Sequence, residues 1–433
     1  MTPLRLRDVC TKIGSGATPR GGKEVYLESG EVALIRSQNV YNDRFERNGL
    51  AFIRSEHANQ LRNVEVQAND VLLNITGDSV ARVCQVPAGT LPARVNQHVA
   101  IIRTDPCRLD PRFLRFFLAS PQMQANMLAF AAAGATRNAL TKGMIEGFEV
   151  PNLSIEDQQA IAALLGSLED KIELNRRMNE TLEAMARAIF KDWFVDFGPT
   201  RAKAEGRDPY LATEVWDLFP DALDDDDKPV GWAIGTVADC AARVQNGGTP
   251  RRSEDAYWTA GAVPWLTSGE VRQDIIVETE NYITELGLQN SSAKMLPERS
   301  ILVALYGATA GQVAFSAIPL TTNQAVSAVM PRDGFRYFLL MHLKREVERL
   351  AESAVGSAQQ NISKKIVEEL STPVPTNDCA FAFDRLVAPL FDRAVANLFE
   401  SKTIARTRDL LLPKLMSGEI RLREAERAVE AVA

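Results

Sequence analysis

The feature that most constrains this chain is that it contains itself twice. Gly16-Ala17-Thr18-Pro19-Arg20 returns as Gly247-Gly248-Thr249-Pro250-Arg251. Val71-Leu72-Leu73-Asn74-Ile75-Thr76-Gly77 returns as Ile301-Leu302-Val303-Ala304-Leu305-Tyr306-Gly307, and Asn96-Gln97 as Asn323-Gln324. Gly134-Ala135-Thr136 is echoed by Gly356-Ser357-Ala358, and Leu140-Thr141-Lys142 by Ile362-Ser363-Lys364. The separations are 231, 230, 227, 222 and 222 residues; the order never changes and the spacing drifts slowly. Such a chain must fold as two similar units, and any site should be sought in duplicate.

Each unit has the same plan. Residues 1–153 and 231–379 mix short β-branched runs with Gly, Asn and Pro turns, the pattern of a sheet-rich α+β domain. A long helix follows each, over 154–197 and 380–424. Ser154 with Asp157 three residues on reads as an N-cap close to a capping box. The second helix is expected from Ala380 to Met416, with Pro413 able to kink or end it. Heptad a and d positions fall on Ile161, Leu165, Leu168, Ile172, Asn175, Asn179, Leu182, Ala186 and Ile189. In the second helix they fall on Phe383, Val387, Leu390, Ala394, Asn397, Ser401, Ile404, Arg408, Leu411 and Leu415. Apolar spacing with polar residues at matching central positions predicts a two-helix coiled coil, the polar layer fixing register. Antiparallel pairing about the repeat axis would set Asn179 opposite Asn397 and Asn175 opposite Ser401. The competing reading is a pair of amphipathic helices lying on globular cores. Residues 198–230 read as a solvated acidic linker and 425–433 as a fraying tail. The expected fold is therefore α+β: two sheet-rich domains joined by two long coiled-coil helices with internal pseudo-twofold duplication.

Net charge is −7, which alone argues against nucleic acid. Its distribution softens the objection: residues 1–150 carry +4, whereas 198–230, with Asp224–Asp227, carry −5. DNA affinity follows local cationic faces. A chain this acidic should bind DNA weakly alone and gain basic surface from a partner. The five cysteines are scattered without CxxC spacing and the three histidines are isolated, which speaks against a disulfide framework, a metal site or His-based catalysis and fits a reducing cytoplasm. No apolar run is long enough to span a membrane.

Catalytic motifs fail on inspection. Pro220-Asp221 before Asp226-Asp227-Lys228 imitates a nuclease site, but acids so close together in one Pro-bounded stretch cannot meet one metal from neighbouring strands. There is no Asn-Pro-Pro-aromatic motif, and Gly14-Ser15-Gly16 opens a turn, not a helix that could receive a cofactor's phosphates. No GxxxxGK[ST] is present. What remains is a set of hydrogen-bonding groups on turns: Thr18, Arg20, Arg36, Ser37, Gln38, Asn39, Arg82 and Arg94 in the first half, with Asn96 and Gln97. The second half offers Thr249, Arg251, Arg252, Thr267, Ser268, Lys294 and Tyr306, with Asn323 and Gln324. Arg pairs bidentately with guanine and Asn or Gln with adenine, while Lys, Ser and Thr suit phosphates. The two Asn-Gln pairs, common to both halves, are equally suited to capping turns. Groups that read different bases should differ between halves, which favours Arg36-Ser37-Gln38-Asn39 and its counterpart Leu266-Thr267-Ser268-Gly269.

The helix IEDQQAIAALLGSLEDKIELNRRMNETLEAMARAIFKDWFVDF and the late segment LLPKLMSGEIRL, together with the duplicated Gly-x-Thr-Pro and Asn-Gln elements, resemble the specificity subunits of type I restriction-modification enzymes. The resemblance covers nearly the whole chain. It departs after Val374-Pro375, where Thr376-Asn377-Asp378-Cys379 lacks the Asp-Gln seen at Asp157-Gln158. It implies two target recognition domains, each reading one half of a split site in double-stranded DNA, with the two long helices antiparallel, spacing the domains and docking two modification subunits. The resemblance also implies that this chain binds no cofactor: S-adenosylmethionine, ATP and magnesium would serve the modification and restriction subunits. A 40-residue helix is ~60 Å long, enough to bridge successive faces of a duplex whose turn is ~34 Å. The alternatives are a self-contained DNA-modifying enzyme and a coiled-coil scaffold that does not touch DNA.

Overall fold

The computed structural model describes residues 2–42, 44–133, 138–355 and 361–430. The echo of Gly134-Ala135-Thr136 in Gly356-Ser357-Ala358 lies outside them. The chain divides into two compact units, one of residues 1–173 and 400–433, the other of residues 174–399.

In the first unit a four-stranded sheet has the order Cys10–Ser15, Val99–Thr104, Val71–Asn74, Val83–Gln85, all antiparallel. A second sheet has the order Ala51–Ile53, Val32–Ile35, Ala93–Val95, Glu65–Val66, with Val32–Ile35 parallel to Ala93–Val95. The run Val71-Leu72-Leu73 is apolar throughout because this strand is covered on both faces. Leu72 and Ile101 face the second sheet, sharing a core with Leu34 and Val95. Leu73 and Ile102 face the other way, into a core with Phe113, Phe116 and the long helices.

The second unit repeats this construction. Its larger sheet runs Ala241–Asn246, Val326–Pro331, Ile301–Ala304, Val313–Ser316, with Ile275–Ile276 added at the edge. Its smaller sheet runs Asn281–Ile283, Val263–Leu266, Thr321–Thr322. Even the register is kept: Leu72 pairs with Ile101, and Leu302 with Ala328.

The central helix spans Ile155–Phe194 and the distal helix Asn377–Ser417. Within each unit a stretch of one runs antiparallel to a stretch of the other. In the first, Lys171 meets Glu400 at 3.2 Å and Glu169 meets Arg408 at 3.2 Å, over a seam of Ile161, Leu165, Leu168, Ile404, Leu411 and Leu415. In the second, Ala186, Phe190, Phe383 and Val387 are buried, with Ile189 and Leu390 partly so. There Asn397 Nδ2 donates to Asn179 Oδ1 at 2.8 Å, and Asn175 Nδ2 donates to the Asn397 carbonyl at 3.3 Å. The helices pair along their seams and also bury against the domain cores.

Three sequence expectations change. The distal helix begins at Asn377, not Ala380, because Thr376 caps it: its Oγ1 accepts from the Cys379 N–H at 3.4 Å and its carbonyl from the Ala380 N–H at 3.0 Å. Thr376 is the repeat equivalent of Ser154, which caps Asp157 N–H at 3.1 Å. The helix also runs through Pro389 and Pro413 without ending. Residues 198–230 are not a solvated linker. They hold helices Gly198–Ala204 and Thr213–Trp216, and Phe219, 3% exposed, packs edge-on to Trp193 at 5.0 Å. Residues 204–210 and most of the acidic run stay at the surface, the latter as a turn in which Asp224 and Asp226 pair with Lys228. Residues 425–430 are not a fraying tail, since helix Leu422–Glu430 buries Ala425 and Val429 against the first core; 431–433 lie outside the described residues.

Candidate nucleic-acid interface

In both halves the Gly-x-Thr-Pro turn folds onto the Asn-Gln pair. A Cβ on Gly16 would lie 2.0 Å from the Val95 carbonyl oxygen, and one on Gly247 would lie 2.1 Å from Thr322 Oγ1. Only glycine admits so close an approach. Thr18 Oγ1 then donates to Gln97 Oε1, and Thr249 Oγ1 to Gln324 Oε1. The asparagines close their own turns, Asn96 Oδ1 accepting from His98 N–H at 3.1 Å and Asn323 Oδ1 from Ala325 N–H at 3.0 Å. Two motifs far apart in sequence are thus one structural element, built twice.

Beyond this frame the halves diverge. The strands align Arg36 with Thr267, one residue later than matching Arg36–Asn39 to Leu266–Gly269 implies. Each position opens a short 3-10 turn closed by a buried acceptor. Asn39, fully buried, accepts from Arg36 N–H at 3.0 Å; Glu270, 3% exposed, accepts from Thr267 N–H at 2.7 Å and from its hydroxyl at 2.9 Å. Asn39 and the Thr267 hydroxyl are therefore occupied in shaping the turn and are withdrawn as base readers. Ser37 and Ser268 are half-buried beside them, and Gln38 is exposed, its amide on the Gly49 carbonyl at 3.2 Å. Arg94 is withdrawn too. It is 6% exposed, donates to the Ala58 and Ala93 carbonyls at 3.2 and 2.9 Å, and meets Glu65 at 3.4 Å. A buried guanidinium tied down by two backbone carbonyls and a carboxylate is held away from a base.

The groups left at the surface are largely cationic. Arg20, Arg251, Arg252 and Lys294 are exposed, and none forms an ion pair among the described residues. Lys294 sits close to the second Gly-x-Thr-Pro turn, since Gly248 packs directly on Ser292 and Ala293. Tyr306 is 36% exposed and precedes Gly307, whose φ is +71°. Aromatic rings under guanidinium groups were not anticipated from the sequence. Arg36 lies over Tyr26 at 5.3 Å, Arg82 and Arg44 over Tyr41 at 4.5 and 4.7 Å, and Arg252 over Trp258 and Trp265 at 4.3 and 4.9 Å. The available signal was Trp258 and Trp265 in the second half, where the first has Leu27 and Leu34. Among the described residues no three His, Cys, Asp or Glu side chains converge as a metal cage.

The family model for the type I restriction modification DNA specificity domain matches residues 1–184 and 229–378, one match to each half. The chain belongs to the type I restriction-modification DNA specificity family. The HindI specificity subunit of Haemophilus influenzae is 28% identical over 359 residues, covering 72% of this chain and 77% of that one. The MjaIX specificity subunit of Methanocaldococcus jannaschii is 25% identical over 313 residues, covering 71% and 69%. The S subunit from M. genitalium shares the fold, with a TM-score of 0.56 at 15% identity over 96% of this chain and 99% of that one. Membership in the specificity family accounts for the duplication, because each match is a whole domain of the kind seen above.

Proposed function

We propose that this specificity-family chain reads a bipartite site in double-stranded DNA, one half-site per duplicated domain, through the face built on the Gly-x-Thr-Pro and Asn-Gln elements. The observation that carries the reading is the pairing of a common frame with surface cations, of which Arg20, Arg251, Arg252 and Lys294 form no ion pair among the described residues. Arg20 and Arg251 follow Thr-Pro in both halves and Ser37 matches Ser268, while Arg36 and Gln38 on one side and Arg252 and Lys294 on the other differ. Shared cations suit the phosphate backbone, and differing groups suit differing bases. The long helices act as the spacer and as docking surface for two modification subunits, which use S-adenosylmethionine, with restriction subunits supplying ATP- and magnesium-dependent cleavage. This chain contributes recognition and no catalysis, and the complex works in the cytoplasm. No helix among the described residues is long and apolar enough to cross a membrane.

Methylome sequencing of cells that express the chain with its modification subunit tests this. The expected result is adenine methylation at one split sequence with an unread gap. Methylation at a single continuous sequence, or robust methyl transfer by the highly purified chain alone, contradicts it.

A further inference from the structure

The duplication is an internal control for which groups read sequence. From Gly16 to Ile35 and from Gly247 to Leu266 the halves keep a constant separation of 231 residues, so each position has a counterpart. Arg251 has Arg20, both exposed. The next residue does not match: Arg252 stands where the first half has Gly21, at a φ of +96°. The rings beneath Arg252 change with it, Trp258 and Trp265 replacing Leu27 and Leu34. Arginine and two tryptophans in one half replace glycine and two leucines in the other, and the three form one contact.

That contact is fixed. The Arg252 guanidinium lies 4.3 Å from the Trp258 ring centre and 4.9 Å from that of Trp265. The indoles meet edge to face at 5.0 Å and 89°. Each is pinned through its Nε1, Trp258 to the Arg251 carbonyl at 3.1 Å and Trp265 to the Gly248 carbonyl at 3.0 Å. No hydrogen bond or ion pair among the described residues uses the Arg252 donors. Arg36, by contrast, lies over Tyr26 but gives Nη2 to the Gly49 carbonyl. A phosphate needs only a nearby cation, whereas a base needs a fork held in one orientation, and ordering that fork before binding removes part of its entropic cost.

We infer that Arg252, clamped by Trp258 and Trp265, reads a guanine through its O6 and N7 in the half-site recognised by the second domain. The inference rests on the DNA-reading function proposed above. The test uses the full chain assembled with its modification subunits and a duplex bearing the methylated site. Each guanine of both half-sites is replaced singly by 7-deazaguanine, which lacks the N7 acceptor. For the unaltered chain, one replacement in one half-site weakens binding by about tenfold. R252K and R252A bind the unmodified duplex at least that much more weakly and are indifferent to that replacement. R252K keeps charge and length but loses the fork, so it decides the matter even where R252A fails to fold. The inference is overturned if the variants respond to every replacement as the unaltered chain does, or if the second half-site contains no G·C pair. It is equally overturned if both variants weaken binding uniformly across sequences with a salt slope reduced by about one, the mark of a phosphate contact. An unaltered complex with no sequence preference overturns the DNA-reading function and this inference together.

Discussion

Gly16 and Gly247 hold the frame from which the surface groups project, and each is required by contact with a neighbouring chain segment. Adding a methyl group sets a carbon 2.0 Å from the Val95 carbonyl oxygen or 2.1 Å from Thr322 Oγ1. Gly16→Ala and Gly247→Ala should each cost about 1–3 kcal/mol, read as a lowered melting temperature; unchanged melting would show that these turns yield freely. A second residue-scale prediction concerns His342, buried and stacked on Phe338 with ring centroids 6.3 Å apart. Burial, aided by Arg345 and Arg349, lowers its pKa from 6.5 to about 4. Between those values the unfolded chain binds a proton that the native state does not. This group therefore removes stability as pH falls from 6.5 towards 4, by up to ~1.4 kcal/mol per unit. His342→Leu should flatten that part of the stability profile relative to the unaltered protein, and identical slopes for both would refute the assignment. At this scale the sequence shows the Thr-Pro and Asn-Gln elements as repeated text. It does not show that Arg94 and Asn39 are interior, because their burial depends on strand pairings with residues far along the chain.

The helices were the most legible elements, since heptads such as Ile161, Leu165 and Leu168 state which face is covered. Their ends were less so. Thr376 caps without the Glu or Gln partner that makes a box recognisable, and Pro389 and Pro413 sit inside a helix whose tertiary burial outweighs the ~3 kcal/mol each can cost. The packed segment 198–230 was missed because Trp216 and Phe219 lie among Gly, Pro and Asp, where composition points to solvent although two apolar anchors suffice to dock it. The polar layer gives a prediction at this scale. Asn179→Leu strands the buried Asn397 amide, 1% exposed, and should cost about 1–3 kcal/mol. Asn397→Leu added to it should recover most of that loss, because no unmatched donor is left. Equal, additive losses measured by denaturant unfolding would mean that the asparagines act separately.

At the scale of the whole molecule, five short repeats in fixed order foretold two units of one construction, down to the register of Leu72 with Ile101 and Leu302 with Ala328. They could not foretell the half-specific arginine stacks, which are visible only once strands bring Trp258, Trp265 and Arg252 together. The central claim is a division of labour: domains read bases and helices set distance. The most direct measurement inserts one heptad between Arg177 and Met178 and a matching one between Phe399 and Glu400, followed by methylome sequencing with the modification subunit. Seven residues preserve the apolar seam and add ~10 Å, about three base pairs at most, since the domains also rotate about the duplex. The account predicts the same two half-sequences separated by a longer unread gap. A changed base within either half-site with the gap unaltered would contradict it.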